Sequence, residues 1–178
     1  MLRPFLLALG IAAAGPALAV GSGDSSAPAP TPTTTECTDG QVYDSESQTC
    51  VDAESNLLDD DERYGAVREL AYAGQLENAQ RVLATMSDQR ADRVLTYWGF
   101  THRKLGNADL GMVYYRQAID TNPGNLLVRS YMGQHLAETG AIAAARVQLM
   151  EIRARGGEGT WPEAALASAI ETGRGYSY

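Results

Sequence analysis

Positive charge is what this chain has least of. Its 178 residues carry 14 Lys and Arg against 22 Asp and Glu, a formal net charge of −8, and Lys104 is the one lysine. That balance excludes a nucleic-acid binder working through phosphate contacts, which needs a basic surface. Two His and two Cys leave little from which to build a metal centre or a His/Cys catalytic site, so neither metal nor cofactor is expected. Phenylalanine is equally scarce, at Phe5 and Phe100. Long apolar runs are missing too. The stretch from Phe5 to about Ala19 falls short of the roughly 20 residues that span a bilayer. It follows Arg3 and closes on Ala17-Leu18-Ala19, a small-x-small signal-peptidase pattern, so residues 1–19 read as a signal peptide cut near Ala19. No cysteine follows the cut to accept a lipid. A periplasmic or secreted protein is expected, with an uncleaved anchor as the alternative.

Charge divides what remains. Residues 20–62 hold eleven acidic side chains and no Lys or Arg, whereas 63–178 hold thirteen basic and eleven acidic ones. The negative charge sits ahead of the domain. Residues 20–36 are rich in Gly, Ser, Pro and Thr and hold almost nothing large and apolar, which predicts an extended flexible linker. Residues 37–58 form an acidic segment with Cys37 and Cys50. In an oxidising compartment a structural disulfide is the default; a redox-active pair, usually spaced by two residues, is the competing reading. Asp39-Gly40 marks a turn, and Gln41-Val42-Tyr43 one arm of a small hairpin. Asp39, Asp44 and Glu46 lack the glycine and glutamate placements of a calcium loop.

From 59 to 178 the texture is helical. Apolar and small residues recur at three- and four-residue spacing, and glycines cut the run into pieces of ten to sixteen. Helices are predicted near 59–73, 76–87, 91–105, 108–121, 125–139, 142–155 and 161–171. Thr160-Trp-Pro-Glu163 reads as a capping box. Gly99 and Gly133 are 34 residues apart, as are Gly106 and Gly140; Gly74 precedes Gly106 by 32. Small residues at Gly99, Gly111, Gly133 and Ala145 would let helix backbones approach. Leu95, Trp98, His102 and Leu105 share one helix face, read as the packing stripe.

That spacing resembles the tetratricopeptide repeat, most closely over Val94–Asn125, with looser copies before and after it across about residues 60–157. Arg129, at a position usually apolar, Ile152, at one usually Ala, and a missing closing proline are departures in the last copy. The resemblance implies an all-α fold: three helix–turn–helix repeats stacked as a short right-handed solenoid, with the final helix as a C-terminal cap pinned by Trp161. It also implies a concave groove for an extended protein or peptide segment. On the stripe opposite the assigned core, that groove would show Tyr64, Arg68, Tyr72, Arg93, Tyr97, Phe100, Arg103, Tyr131 and Gln134, with Thr96, Lys104 and Ser130 beside them. Aromatics and arginines are enriched at binding hot spots. In the alternative, these aromatics pack against the seventh helix or the N-terminal segment. The Lys/Asn clamp by which chaperone-type members hold a terminal carboxylate is absent at the matching places. His102 and His135 lie within helices with no Ser or Cys partner, and a catalytic role is not expected. The function read here is a non-catalytic adaptor or assembly factor of the cell envelope, partner unspecified; the alternative is a self-associating homo-oligomer. The acidic segment ahead of the domain either screens the groove or serves solubility.

Overall fold

The structure is a computed structural model that describes residues 27 and 29–175. The expected signal peptide lies outside the described residues. Eight helices and one two-stranded hairpin are present among those described. Helix α1 (Pro32–Thr35) leads into strands β1 (Val42–Asp44) and β2 (Thr49–Val51), and then come α2 (Asp60–Tyr72), α3 (Leu76–Thr85), α4 (Asp92–Lys104), α5 (Ala108–Thr121), α6 (Leu126–Glu138), α7 (Ile142–Ala154) and α8 (Trp161–Thr172). No helix among the described residues is long and apolar enough to cross a membrane.

The N-terminal part is more ordered than its composition predicts. Within the stretch read as flexible linker, Pro32 opens a one-turn helix, with Thr31 as N-cap accepting from the Thr33 amide. Glu69 of α2 explains the order. Its buried carboxylate accepts from the Thr31 amide at 2.6 Å, the Thr31 hydroxyl at 2.5 Å, the Thr34 amide at 3.2 Å and the Thr34 hydroxyl. A buried carboxylate needs such donors, so linker and helix each satisfy the other. The hairpin follows, with Val42 opposite Val51 and Tyr43 opposite Cys50. Cys37 and Cys50 form the disulfide, their Cα atoms 5.5 Å apart. Asp44 turns inward and accepts from the amides of Glu46 and Ser47, and its bonds to Ser47 hold its carboxyl below the usual range.

The helices start and stop for local reasons. Asp59 accepts from the Glu62 amide while Glu62 returns to the Asp59 amide, a full capping box at α2. Helices α2, α4 and α6 end alike. Gly74, Gly106 and Gly140 take φ of 75°, 89° and 81°, and the amide one residue further on reaches back to the carbonyls of Leu70, His102 and Leu136. Only glycine enters that left-handed turn without strain, which is why the breaks are legible. The capping box expected at Thr160 is not formed. The Thr160 hydroxyl donates to the Gly157 carbonyl at 2.6 Å, and Glu163 instead takes Arg153 at 2.6 Å and the Gly159 amide at 2.8 Å.

Packing follows chain order. Helix α2 pairs with α3, α4 with α5 and α6 with α7; α3 touches α4, α5 touches α6, and α8 lies on α6 and α7. The α4–α5 pair is the tightest for a visible reason. A Cβ on Gly111 would come within 2.7 Å of the Gly99 carbonyl oxygen, and one on Gly99 within 2.5 Å of the Tyr115 ring. Gly133 serves a different neighbour from the one expected: a Cβ there would meet Leu166 of α8 at 2.7 Å. One apolar cluster runs from Val42 of the hairpin to Met132 of α6, and a second, with Ala145, Ile152 and Leu166, lies under α8. Arg129 is buried too. It substitutes for an apolar residue by donating through Nε and Nη2 to the Pro123 carbonyl, at 3.3 and 2.9 Å, and through Nη1 to Gln148.

Candidate functional site

The aromatic stripe is on the inside. Tyr97 and Tyr131 have no exposed surface, Phe100 keeps 1%, Tyr72 7% and Tyr64 9%. Meanwhile Trp98, His102 and Leu105, assigned to the packing stripe, are only half-buried. The two faces of α4 therefore carry unequal duties, and the face read as an open groove is the better covered one. Its rings cover each other. Tyr64 meets Tyr97 edge-on at 5.7 Å between centroids, Tyr97 meets Tyr131 edge-on at 6.0 Å, and Phe100 lies 4.7 Å from Tyr131 and stacks on Tyr72 at 6.2 Å. Trp161, at the start of α8, spans the set by touching Tyr72 at 5.6 Å and Tyr131 at 6.3 Å. Through Trp161, the seventh of the predicted helices touches two of the aromatics, Tyr72 and Tyr131. Tyr131 donates its hydroxyl to Tyr72 at 2.8 Å and lies 3.4 Å from the Tyr97 hydroxyl, so the buried phenols satisfy one another.

The charged members of the stripe are engaged. Arg93 pairs with Asp61 of α2 and lies over the Tyr64 ring at 5.0 Å. An acidic residue in the first turn of α2 thus reaches one of the expected groove arginines. Arg103 is buried, with its Nη1 2.7 Å from Glu138 and its Nε 3.3 Å from the Tyr115 hydroxyl. Burial pulls the Arg103 guanidinium toward neutrality, yet Tyr115 and Glu138 outweigh it and its pKa moves up. Gln134 is buried and donates to Ser130 at 3.1 Å. Thr96 is equally buried, accepting from Asn125 and donating to the Asp92 carbonyl. Arg68 is half-buried, and neither it nor Tyr64, Tyr72, Tyr97, Phe100, Tyr131 or Gln134 lacks a partner.

An opening lies at the edge of this face among the described residues. A cavity of about 350 Å³ is lined by Ala71, Tyr72, Ala73, Gly74, Leu76, Phe100 and Lys104. The end of α2 and its glycine turn make one wall, the last turn of α4 the other. Lys104 lies 5.9 Å from the Phe100 centroid. Burial lowers its pKa, Arg103 lowers it further and Glu138 opposes both. A cation beside two aromatic faces and a small apolar wall suits an aromatic side chain with a polar edge. The sequence placed Tyr72, Phe100 and Lys104 in one region, but nothing in it flags the wall made by Ala71, Ala73 and Leu76. These are ordinary helix and turn residues until α2 and α4 are brought together.

A second cavity, about 360 Å³, lies between the disulfide loop and α3, lined by Asp39, Asp52, Glu54 and Arg81 among others. Arg81 closes part of it by donating to the Asp39 carbonyl at 3.0 Å. No three His, Cys, Asp or Glu side chains converge as metal ligands among the described residues. His102 is stacked with its ring plane 1° from that of Tyr114 and 24° from that of Trp98, and burial lowers its pKa. His135 is shifted the same way, by burial and by Arg103. Comparison with models of known protein families, with curated proteins and with solved structures finds no match.

Proposed function

We propose that the chain is an exported tetratricopeptide-like solenoid that acts without catalysis. In this reading it holds a protein or peptide partner in the cell envelope, as an adaptor or assembly factor. The contact is confined to the mouth of the concave face. The observation that carries this is the cavity between α2 and α4, where Tyr72, Phe100 and Lys104 present two rings and a cation beside a small apolar wall. The 34-residue register supports the repeat reading: Tyr97 and Tyr131 occupy corresponding buried places, and Gly106 and Gly140 make the same turn. The disulfide is in keeping with an oxidising compartment. The partner contributes an aromatic side chain to the mouth; the filled interior of the face contributes rigidity rather than contact.

Binding to an array of peptides bearing Tyr, Phe or Trp tests the reading. Ala73→Arg, on an exposed residue, obstructs the mouth, and Lys104→Glu reverses its charge. Each is expected to weaken the array's best binders at least tenfold, with helical content and melting unchanged. Equal binding by all three proteins overturns the reading. Self-association is the second reading, favoured by Leu110, Val113, Val147 and Met150, which lie exposed on the outer faces of α5 and α7. Light scattering that gives a monomer at every concentration removes it.

A further inference from the structure

The second helices of the three pairs, α3, α5 and α7, follow the equivalent turns at Gly74, Gly106 and Gly140. Counted from those glycines, one exposed row reads Glu77, Arg81 and Ala84 on α3 and Asp109, Val113, Arg116 and Asp120 on α5. On α7 the same row reads Ala143, Val147, Met150 and Ala154, all of them exposed. Val147 and Met150 leave 45% and 59% of their surface open. The repeat does not impose this change, because the equivalent places in α5 are solvated by two aspartates and an arginine. Helix α8 lies on α7 yet leaves the row uncovered.

The spacing of the row points to what covers it. Its intervals of four, three and four residues follow the 3.5-residue period by which two helices pack along a common seam. Arg146 flanks that seam on one side and Glu151 on the other. In a parallel pair of such helices, the residue ahead of one seam position meets the residue five places further along the partner helix. Arg146 of one copy then faces Glu151 of the other, and symmetry supplies the contact twice. An antiparallel pair would instead set the Arg146–Arg153 edges against each other, like charge against like. The ion pairs of this region engage Arg129, Arg153 and Arg155 and leave Arg146 without one among the described residues. Glu151 is held by Arg155 but keeps 38% of its side chain exposed.

We propose that α7 is a self-recognition helix. Two copies of this chain pair their α7 helices in parallel about a two-fold axis, along Ala143, Val147, Met150 and Ala154, with Arg146 of each facing Glu151 of the other. The proposal rests on the self-association reading and assigns it a surface. Helix α7 has 13 residues, a length of about 20 Å, so the interface is small and the dimer exchanges with monomer. No residue lining the mouth between α2 and α4 belongs to α7. A dimer therefore presents two mouths and holds a repetitive partner more tightly than one copy does.

Sedimentation equilibrium of the full chain, from about 1 μM to about 1 mM, tests the pairing. Wild type is expected to move from monomer toward dimer mass across that range. Met150→Glu is expected to associate at least tenfold more weakly, with an unchanged melting curve. Arg146→Glu and Glu151→Arg, which each put like charges across the seam, should weaken association as much when alone. Their equimolar mixture should recover wild-type association, because the mixed pair has opposite charges on both sides. Wild type that stays monomeric throughout overturns the proposal together with the self-association reading. Wild type that associates, with Met150→Glu matching it, leaves self-association standing and removes α7 as its surface. A mixture no better than its components overturns the parallel register. Glu151→Arg also loses its contacts to Arg129 and Arg155, so its melting is followed; if it unfolds, Met150→Glu and Arg146→Glu decide.

Discussion

Gly111→Ala is expected to destabilise the domain by about 1–3 kcal/mol, although alanine is the better helix former in isolation. The new Cβ would lie 2.7 Å from the Gly99 carbonyl oxygen and 3.1 Å from the backbone nitrogen of Arg103. Those atoms are helix backbone and cannot turn aside. Helices α4 and α5 would have to separate, loosening Tyr115, which is fully buried against Gly99. Gly65→Ala makes the control. It is also a mid-helix glycine, but nothing lies within 4 Å of its added Cβ, so the helix preference is all that remains. That variant should gain about 0.5–1 kcal/mol. Urea unfolding followed by circular dichroism checks both signs; a stabilised Gly111→Ala would mean that the two helices do not approach as described.

Phe100→Ala is expected to cost about 3–5 kcal/mol, the range for emptying a fully buried aromatic site. Phe100 touches Tyr72, Tyr97 and Tyr131, and the Arg103 guanidinium lies 5.7 Å from its ring centre. Those neighbours come from α2, α4 and α6, so the cavity cannot close by one helix shifting. Had the ring stood on an open groove, the same substitution would leave the melting curve alone and reduce partner binding only. A loss below about 0.5 kcal/mol in denaturant titration would return Phe100 to the surface. One consequence for binding assays follows: a binding defect in Phe100→Ala reports folding, which is why Ala73→Arg and Lys104→Glu are the variants that probe the mouth.

The glycines made the helices legible. Gly74, Gly106 and Gly140 are required by a left-handed turn, so their spacing marked each break to within a residue or two. Periodicity also sorted α4 correctly into two faces. It could not say which face turns inward, because Trp98 and Leu95 look as apolar as Tyr97 and Phe100. The choice is made by partners distant in sequence, Tyr72, Tyr131 and Trp161, and no local pattern encodes them. The order at Thr31–Thr34 was hidden for the same reason: it depends on Glu69, 35 to 38 residues away. Thr160 missed its cap through competition, since Arg153 and the Gly159 amide both claim Glu163.

Tyrosine nitration by tetranitromethane, read residue by residue with mass spectrometry, tests most directly the claim that this face is filled by the chain's own rings. Tyr97, Tyr115 and Tyr131 have no exposed surface, whereas Tyr43 and Tyr114 are partly exposed. The account predicts modification at Tyr43 and Tyr114, with Tyr97, Tyr115 and Tyr131 protected until denaturant unfolds the domain. Nitration of Tyr97 and Tyr131 in the folded protein as fast as at Tyr43 and Tyr114 would contradict it, and would describe an open groove instead.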